Sequence, residues 1–204
     1  MAVHYSIQVE VVSIKSDVPK PTDAFFIDTN VWYWMVYSRA GQADQPPKPY
    51  QIRDYPSYIG KARTACAKLY RCGFSLAELA HLIEKAEREI FVRTYGPIRT
   101  KEFHAPERAR VVAEVQNTWG RIKMIATPVE ALIDEATTNA ALTRFHTQPV
   151  DGYDLFILEA IAKAGIVQVI TDDGDFATVP SIQVFTSNQN VIQAAQNQGK
   201  LLAR

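Results

Sequence analysis

The sequence predicts an α/β fold with a central, mostly parallel sheet, and two observations carry that expectation. Short apolar runs bounded by turn residues, AFFID at 24–28, IVQVIT at 166–171 and IQVF at 182–185, have the unbroken hydrophobicity of strands buried on both faces. Between and around them lie longer stretches with helical spacing, the alternation expected of a layered α/β domain.

The elements are read in order. Residues 5–14, YSIQVEVVSI, are rich in β-branched side chains and predict a strand-like arm, with 1–22 set apart from a main domain over 23–204. AFFI gives the first buried strand. Residues 41–58 hold prolines 46, 47, 49 and 56 and tyrosines 50, 55 and 58, and predict a long irregular loop. A helix is expected over 58–70, broken at Gly73, and a second from Ser75, in S-x-x-E spacing with Glu78, to about Tyr95. A helical insertion spans about 95–147, with one helix over 105–119, a short strand at 123–126, and another helix opened by Thr127-Pro128 and ending near Thr147. The stretch 151–164 is helical and strongly apolar, with Gly165 as its stop. Two strands follow, then a short polar helix from about Gln189.

Composition narrows the function. Of 204 residues 47% are hydrophobic and 22% charged, ordinary for a globular chain and enough for one domain with an insertion. Basic and acidic residues balance at 22 each, which speaks against a tight non-specific binder of duplex DNA while leaving a nuclease open. Cys66 and Cys72 have the usage of thiols in a reducing compartment, and the four scattered histidines fit no metal-ligand spacing. The N-terminus lacks the pattern of a signal peptide and no run of 18 apolar residues exists, so a cytoplasmic protein is expected.

The informative residues are acids. In open α/β sheets ligands gather beyond the carboxyl ends of the strands. Asp28 ends the first buried strand there, and Asp172, Asp173 and Asp175 end the second. The helix feeding that second strand opens with Asp151 and Asp154, and its start lies at the same edge. Like charges brought together raise one another's pKa, and a divalent cation reverses that penalty. All-oxygen ligands suit Mg²⁺ or Mn²⁺, ions that serve phosphoryl transfer by activating water and stabilising developing charge. Each acid also has a local alternative: Asp28, Asp151 with Asp154, and Glu78 could cap helices, and 172–175 could be a polar turn. A haloacid-dehalogenase phosphatase is disfavoured, because Thr29-Asn30 follows Asp28 and no D-x-D stands there.

FIDTNVWYW at 26–34, FSLAELAHLIE at 74–84, YDLFILEAIAKAGIVQVITDDGDF at 153–176 and IQVFT at 182–186 together resemble the PIN-domain family, in particular toxin ribonucleases of the VapC type. The resemblance covers about a third of the chain, in the family's order. It implies a Rossmann-like three-layer α/β/α domain that cleaves RNA with Mg²⁺ or Mn²⁺. It implies catalytic roles for Asp28, Glu78, Asp154 and Asp173, with the metal held by Asp28, Asp154, Asp173 and Asp175. Asn30 and Thr171 match the polar residues supporting those acids. Asp151 and Asp172 are additional, and Glu84 competes with Glu78 if the helix register moves by a turn and a half. A protein antitoxin and homodimerisation are further implications. The chain is longer than a compact toxin, which bears on the toxin role more than on the nuclease role.

Substrate grip is expected from the basic residues of 85–123, with Arg88, Arg93, Arg99 and Lys101 as candidate RNA contacts, although acids are interleaved among them. Tyr50, Tyr55 and Tyr58 are candidates for stacking on unpaired bases. The apolar stripe of Trp32, Trp34, Met35 and Tyr37 is read as core before interface. The competing functions are a PIN-fold scaffold without turnover, binding RNA or protein, and a PIN-type nuclease acting on DNA.

Overall fold

A computed structural model describes residues 6–97 and 100–204, the side chains of 100–106 excepted. The strands are β1 (Glu10–Ser13), β2 (Ala24–Ile27), β3 (Lys68–Cys72), β4 (Thr127–Val129), β5 (Gln168–Ile170), β6 (Gln183–Thr186) and β7 (Leu201–Leu202). The helices are α1 (Thr29–Val36), α2 (Pro49–Thr64), α3 (Gly73–Tyr95), α4 (Thr100–Ile125), α5 (Glu135–Thr147), α6 (Gly152–Lys163) and α7 (Gln189–Asn197). Among the described residues the strands form one sheet in the order β4-β3-β2-β5-β6-β1-β7, with every neighbouring pair parallel. No described helix is long and apolar enough to cross a membrane.

The pleat sends alternate strand residues to opposite faces. Phe25, Ile27, Leu69, Ile170 and Phe185 pack with Val31, Trp32, Tyr55, Tyr58, Leu79, Ile83 and Ile122 from α1 to α4. Phe26, Cys72, Val169 and Val184 pack on the other face with Ile157, Leu158, Ile161, Val191 and Ala195 from α6 and α7. The result is a three-layer, Rossmann-like α/β/α fold, its parallel sheet as the apolar runs predict and its three layers as the resemblance implies.

Several elements differ from the sequence reading. The segment expected as an arm supplies β1, which sits inside the sheet between β6 and β7. Buried Val11 and Val12 fill one face each, so this strand belongs to the core. The expected loop 41–58 ends at Pro49, which opens α2 at the one turn where a missing N–H costs nothing. Pro56 lies within that helix, and Gln51, Tyr55, Tyr58, Ile59 and Ala62 are its buried stripe. The helix expected over 58–70 stops at Thr64, because Cys66 takes a left-handed conformation (φ 61°) and β3 follows. Gly73 begins α3 instead of breaking a helix. Residues 123–125, expected as strand, are the last turn of α4, and the strand β4 takes Thr127–Val129, where a helix was expected to open. Pro128 stands in β4, an edge strand, where a residue without N–H is tolerated. Both cysteines are free thiols, Cys66 exposed and Cys72 buried.

The C-terminal Arg204 anchors the opposite end of the chain. Its guanidinium donates to Asp17 at 2.9 Å and to Asp23 at 2.8 Å, and lies 4.5 Å from the Phe185 ring centroid. Tyr58 also donates to Asp17. The segment between β1 and β2 is thereby tied to α2 and to the chain's end.

Candidate metal centre

The connections from β2 lead outward to β3 and β4, while β5 leads the other way to β6. The order therefore reverses between β2 and β5, and a crevice opens beyond their carboxyl ends. The register pairs Ile27 with Ile170, so Asp28 and Thr171 emerge side by side. The Asp28 amide donates to Ile170 O at 3.1 Å, and the Thr171 hydroxyl donates to Asp28 Oδ2 at 2.8 Å. Two further elements reach this crevice. β3 lies beside β2 and passes directly into α3, carrying Glu78. Helix α6 packs beside α3, with Phe74 and Phe156 stacked at 5.4 Å, and its first turn carries Asp154.

Carboxylate oxygens of Asp28, Glu78 and Asp154 lie within 4.8 Å of one another. Asp28 is buried and the other two are half-buried. Burial pushes Asp28 up to about 7, with the Glu78 charge adding to the effect. Burial pushes Asp154 up to about 9, helped by Asp28, Glu78, Asp173 and Asp151. Glu78 is raised chiefly by burial. Asp173 stands outside the trio but close enough for its charge to act on all three.

The trio suits a divalent cation. Glu78 Oε2 is buried with no hydrogen-bond partner among the described residues, and an orphaned buried acceptor calls for an explanation such as an ion. No helix cap accounts for these acids. Asp28 and Asp151 occupy N-cap positions without accepting a side-chain cap bond, and Ser75 Oγ is unpartnered inside the first turn of α3, so no S-x-x-E box forms. Three oxygen donors without nitrogen or sulfur favour Mg²⁺ or Mn²⁺ over zinc.

The neighbouring acids separate by role. Asp172 is consumed structurally: Tyr50 donates to its Oδ2 at 2.9 Å, Gln51 at 2.7 Å, and Tyr55 to its Oδ1 at 2.6 Å. The Asp173 amide donates to Thr171 Oγ1 at 2.9 Å, and Asp173 Oδ1 accepts the Asp175 amide at 2.9 Å. Asp175 is exposed, and its carboxyl is raised by partial burial and by Asp173 and Asp151. Glu84 faces Arg108 at 3.5 Å, so the register keeps Glu78 at the cluster. Asn30 is half-buried on the wall of a groove beside it.

The expected RNA contacts fare differently. Arg93 pairs with Asp44 at 3.3 Å and donates to Gln42 O. At ~1.5 Å per residue it stands about 22 Å along α3 from Glu78, and Arg88 about 15 Å. Arg99 and the Lys101 side chain lie outside the described residues. Base stacking by Tyr55 and Tyr58 is corrected: both are fully buried, and the Tyr55 hydroxyl is held by Asp172, Thr171 O and Thr186. Trp32 and Tyr37 are core, as expected. The buttress of Tyr50, Gln51 and Tyr55 behind Asp172 escaped the sequence reading because α2 did.

No family model matches the sequence, and no curated protein matches it either.

Proposed function

We propose that this chain is a metal-dependent endoribonuclease of the PIN-domain type. The observation that carries the reading is the buried trio of Asp28, Glu78 and Asp154 at the point where the strand order reverses. Asp28, Glu78 and Asp154 would hold the cation, with Asp173 at the open side contributing charge. A bound Mg²⁺ or Mn²⁺ supplies Lewis acidity and a water of lowered pKa.

The protein's own groups set the stage for that chemistry. Thr171 fixes one oxygen of Asp28 and leaves the other for ligation. Burial raises the proton affinity of the carboxylates when no cation balances them, so cation binding displaces protons from the cluster. Partial burial of the trio would strengthen electrostatic stabilisation of the charge that develops as an ester bond breaks there.

The test is cleavage of single-stranded and structured RNA by the full chain with Mg²⁺, Mn²⁺ or EDTA, with matched DNA in parallel. Metal-dependent RNA cleavage lost in Asp28→Asn and Asp154→Asn is the expected result. Cleavage at the parent rate by both folded variants overturns the site, and preferential cutting of DNA overturns the substrate.

A further inference from the structure

A groove between α1, α3 and the segment before α2 extends away from the carboxylate trio. It is about 320 Å³ and is lined by Asn30, Tyr33 and Trp34 from α1, by Pro46, Pro47 and Lys48, and by Leu82, Lys85 and Glu89 from α3. Both helical walls lead back to metal-ligand candidates. Asp28 immediately precedes α1, whose residues 30 and 34 follow one turn apart on one face. On α3, Lys85 follows Glu78 by seven residues, two turns on the same face and about 10 Å along the axis. The groove therefore lies along the two helices that follow Asp28 and carry Glu78, with Asn30 at its near end.

Its chemistry is specific. Trp34 is half-buried, supported from behind by Tyr55 at 5.9 Å between ring centroids. An aromatic plane backed by the core is a stacking platform that needs no ordering on binding. Lys48 and Lys85 are exposed on either side and form no ion pair among the described residues. Glu89, the acid on the wall, is turned to the Asp44 amide, which it accepts at 2.9 Å. The volume is at the lower end of the roughly 300–1,000 Å³ of small-ligand sites, too small for a duplex.

We propose that this groove holds an unpaired nucleotide of a single-stranded RNA adjoining the cleaved phosphate, its base on Trp34 and the flanking phosphates on Lys48 and Lys85. The assignment rests on the nuclease reading of the trio and adds the residues that seat one base and its flanking phosphates. The basic grip comes from two lysines that line the groove.

The test measures anisotropy of a labelled oligouridylate on the full chain carrying Asp154→Asn, in Mg²⁺, alongside cleavage by the parent chain. Trp34→Ala and the double variant Lys48→Ala with Lys85→Ala are each expected to weaken binding about tenfold. The double variant should also reduce the slope of log K against log salt by about 1.4, the share of two phosphate contacts on a single strand. Trp34→Phe should restore most of the affinity lost in Trp34→Ala, separating stacking from misfolding. Lys61→Ala, on the exposed end of α2, should bind as the Asp154→Asn chain does. Unchanged affinity and salt slope in the lysine double variant overturn the groove, and cleavage by the parent chain then leaves the nuclease reading standing. Weakened binding in the groove variants supports the groove even if the parent chain cuts nothing, which sinks the nuclease reading alone. No measurable affinity for single-stranded RNA overturns the groove assignment and leaves the site to a protein partner.

Discussion

Thr171 and Asp28 join the ends of two neighbouring strands through one hydrogen bond of 2.8 Å. The Thr171 hydroxyl oxygen also accepts the Asp173 amide at 2.9 Å. One side chain thus sets the position of an acid on each strand. It also opposes the burial that raises Asp28. Thr171→Val should therefore raise Asp28 further and move the acidic limb of the pH–rate profile upward. Activity near neutrality should fall by about tenfold, the equivalent of about one pKa unit. A pH profile with an unmoved acidic limb removes Thr171 from this role.

The trio makes the metal-free protein weaken as pH rises. At low pH the carboxyls are protonated both folded and unfolded. Above about 4 an unfolded chain releases protons that folded Asp28, near 7, and Asp154, near 9, retain. The unfolded state is then favoured progressively until the folded groups ionise too. Melting temperature in EDTA should fall from about pH 5 to about pH 9, and Mg²⁺ should restore it most at the alkaline end. A Mg²⁺ shift of the same size at both ends contradicts the assignment.

Removing a repelling charge should stabilise while it inactivates. Asp154→Asn is expected to raise metal-free stability at alkaline pH by about 1 kcal/mol or more, and to abolish both the Mg²⁺ shift and cleavage. Chemical denaturation with and without Mg²⁺ checks all three. A variant less stable than the parent in EDTA contradicts the repulsion argued for the cluster.

Adjacent aspartates should give opposite phenotypes. Asp172→Ala strips the partner from Tyr50, Gln51 and Tyr55, at a cost of about 2 kcal/mol. Asp173→Ala loses only the bond to the Asp175 amide, while relieving repulsion on the trio. It should keep stability and lose metal affinity, measured by calorimetry with Mn²⁺. Equal destabilisation by the two removes the distinction.

Arg204 gives the contrary pH response. Burial alone would raise Asp23, but bonds from Arg204, the Lys20 amide and Gln168 outweigh it and hold the carboxyl below its ordinary value. Asp23 thus adds stability above about pH 4 that is lost as acid protonates it. Arg204→Ala leaves Asp17 and Asp23 buried without their cation, at a cost of about 3 kcal/mol. The loss should shrink below about pH 4 in urea melts across pH, and a loss constant with pH would show that packing on Phe185 dominates.

The parts of this architecture legible in the sequence are those that need only local pattern. AFFI and QVI are unbroken apolar runs, so β2 and β5 and the acids that follow them could be placed at one edge. Asp154 followed from the geometry of a crossover helix, and Glu78 from the resemblance. What was illegible depended on competition between signals. KLYRC is short, does not alternate strictly and follows a helical stretch, so nothing local marks it as a strand. The buried stripe of α2 was present, but four nearby prolines outweighed it, although Pro49 starts the helix and Pro56 is carried within it. Basic residues on α3 looked equivalent in composition, and only the rise of the helix separates Lys85 from Arg93.

The place of β1 has a consequence for how the chain is made. Its residues pair with Gln183–Thr186 and with Leu201–Leu202. This strand therefore finds its neighbours only after the helices and strands between them have been made. Until then a β-prone stretch has no native partner, and closing that long span is a slow, late step of folding. A rearranged chain that places this strand between β6 and β7 in sequence would shorten that span.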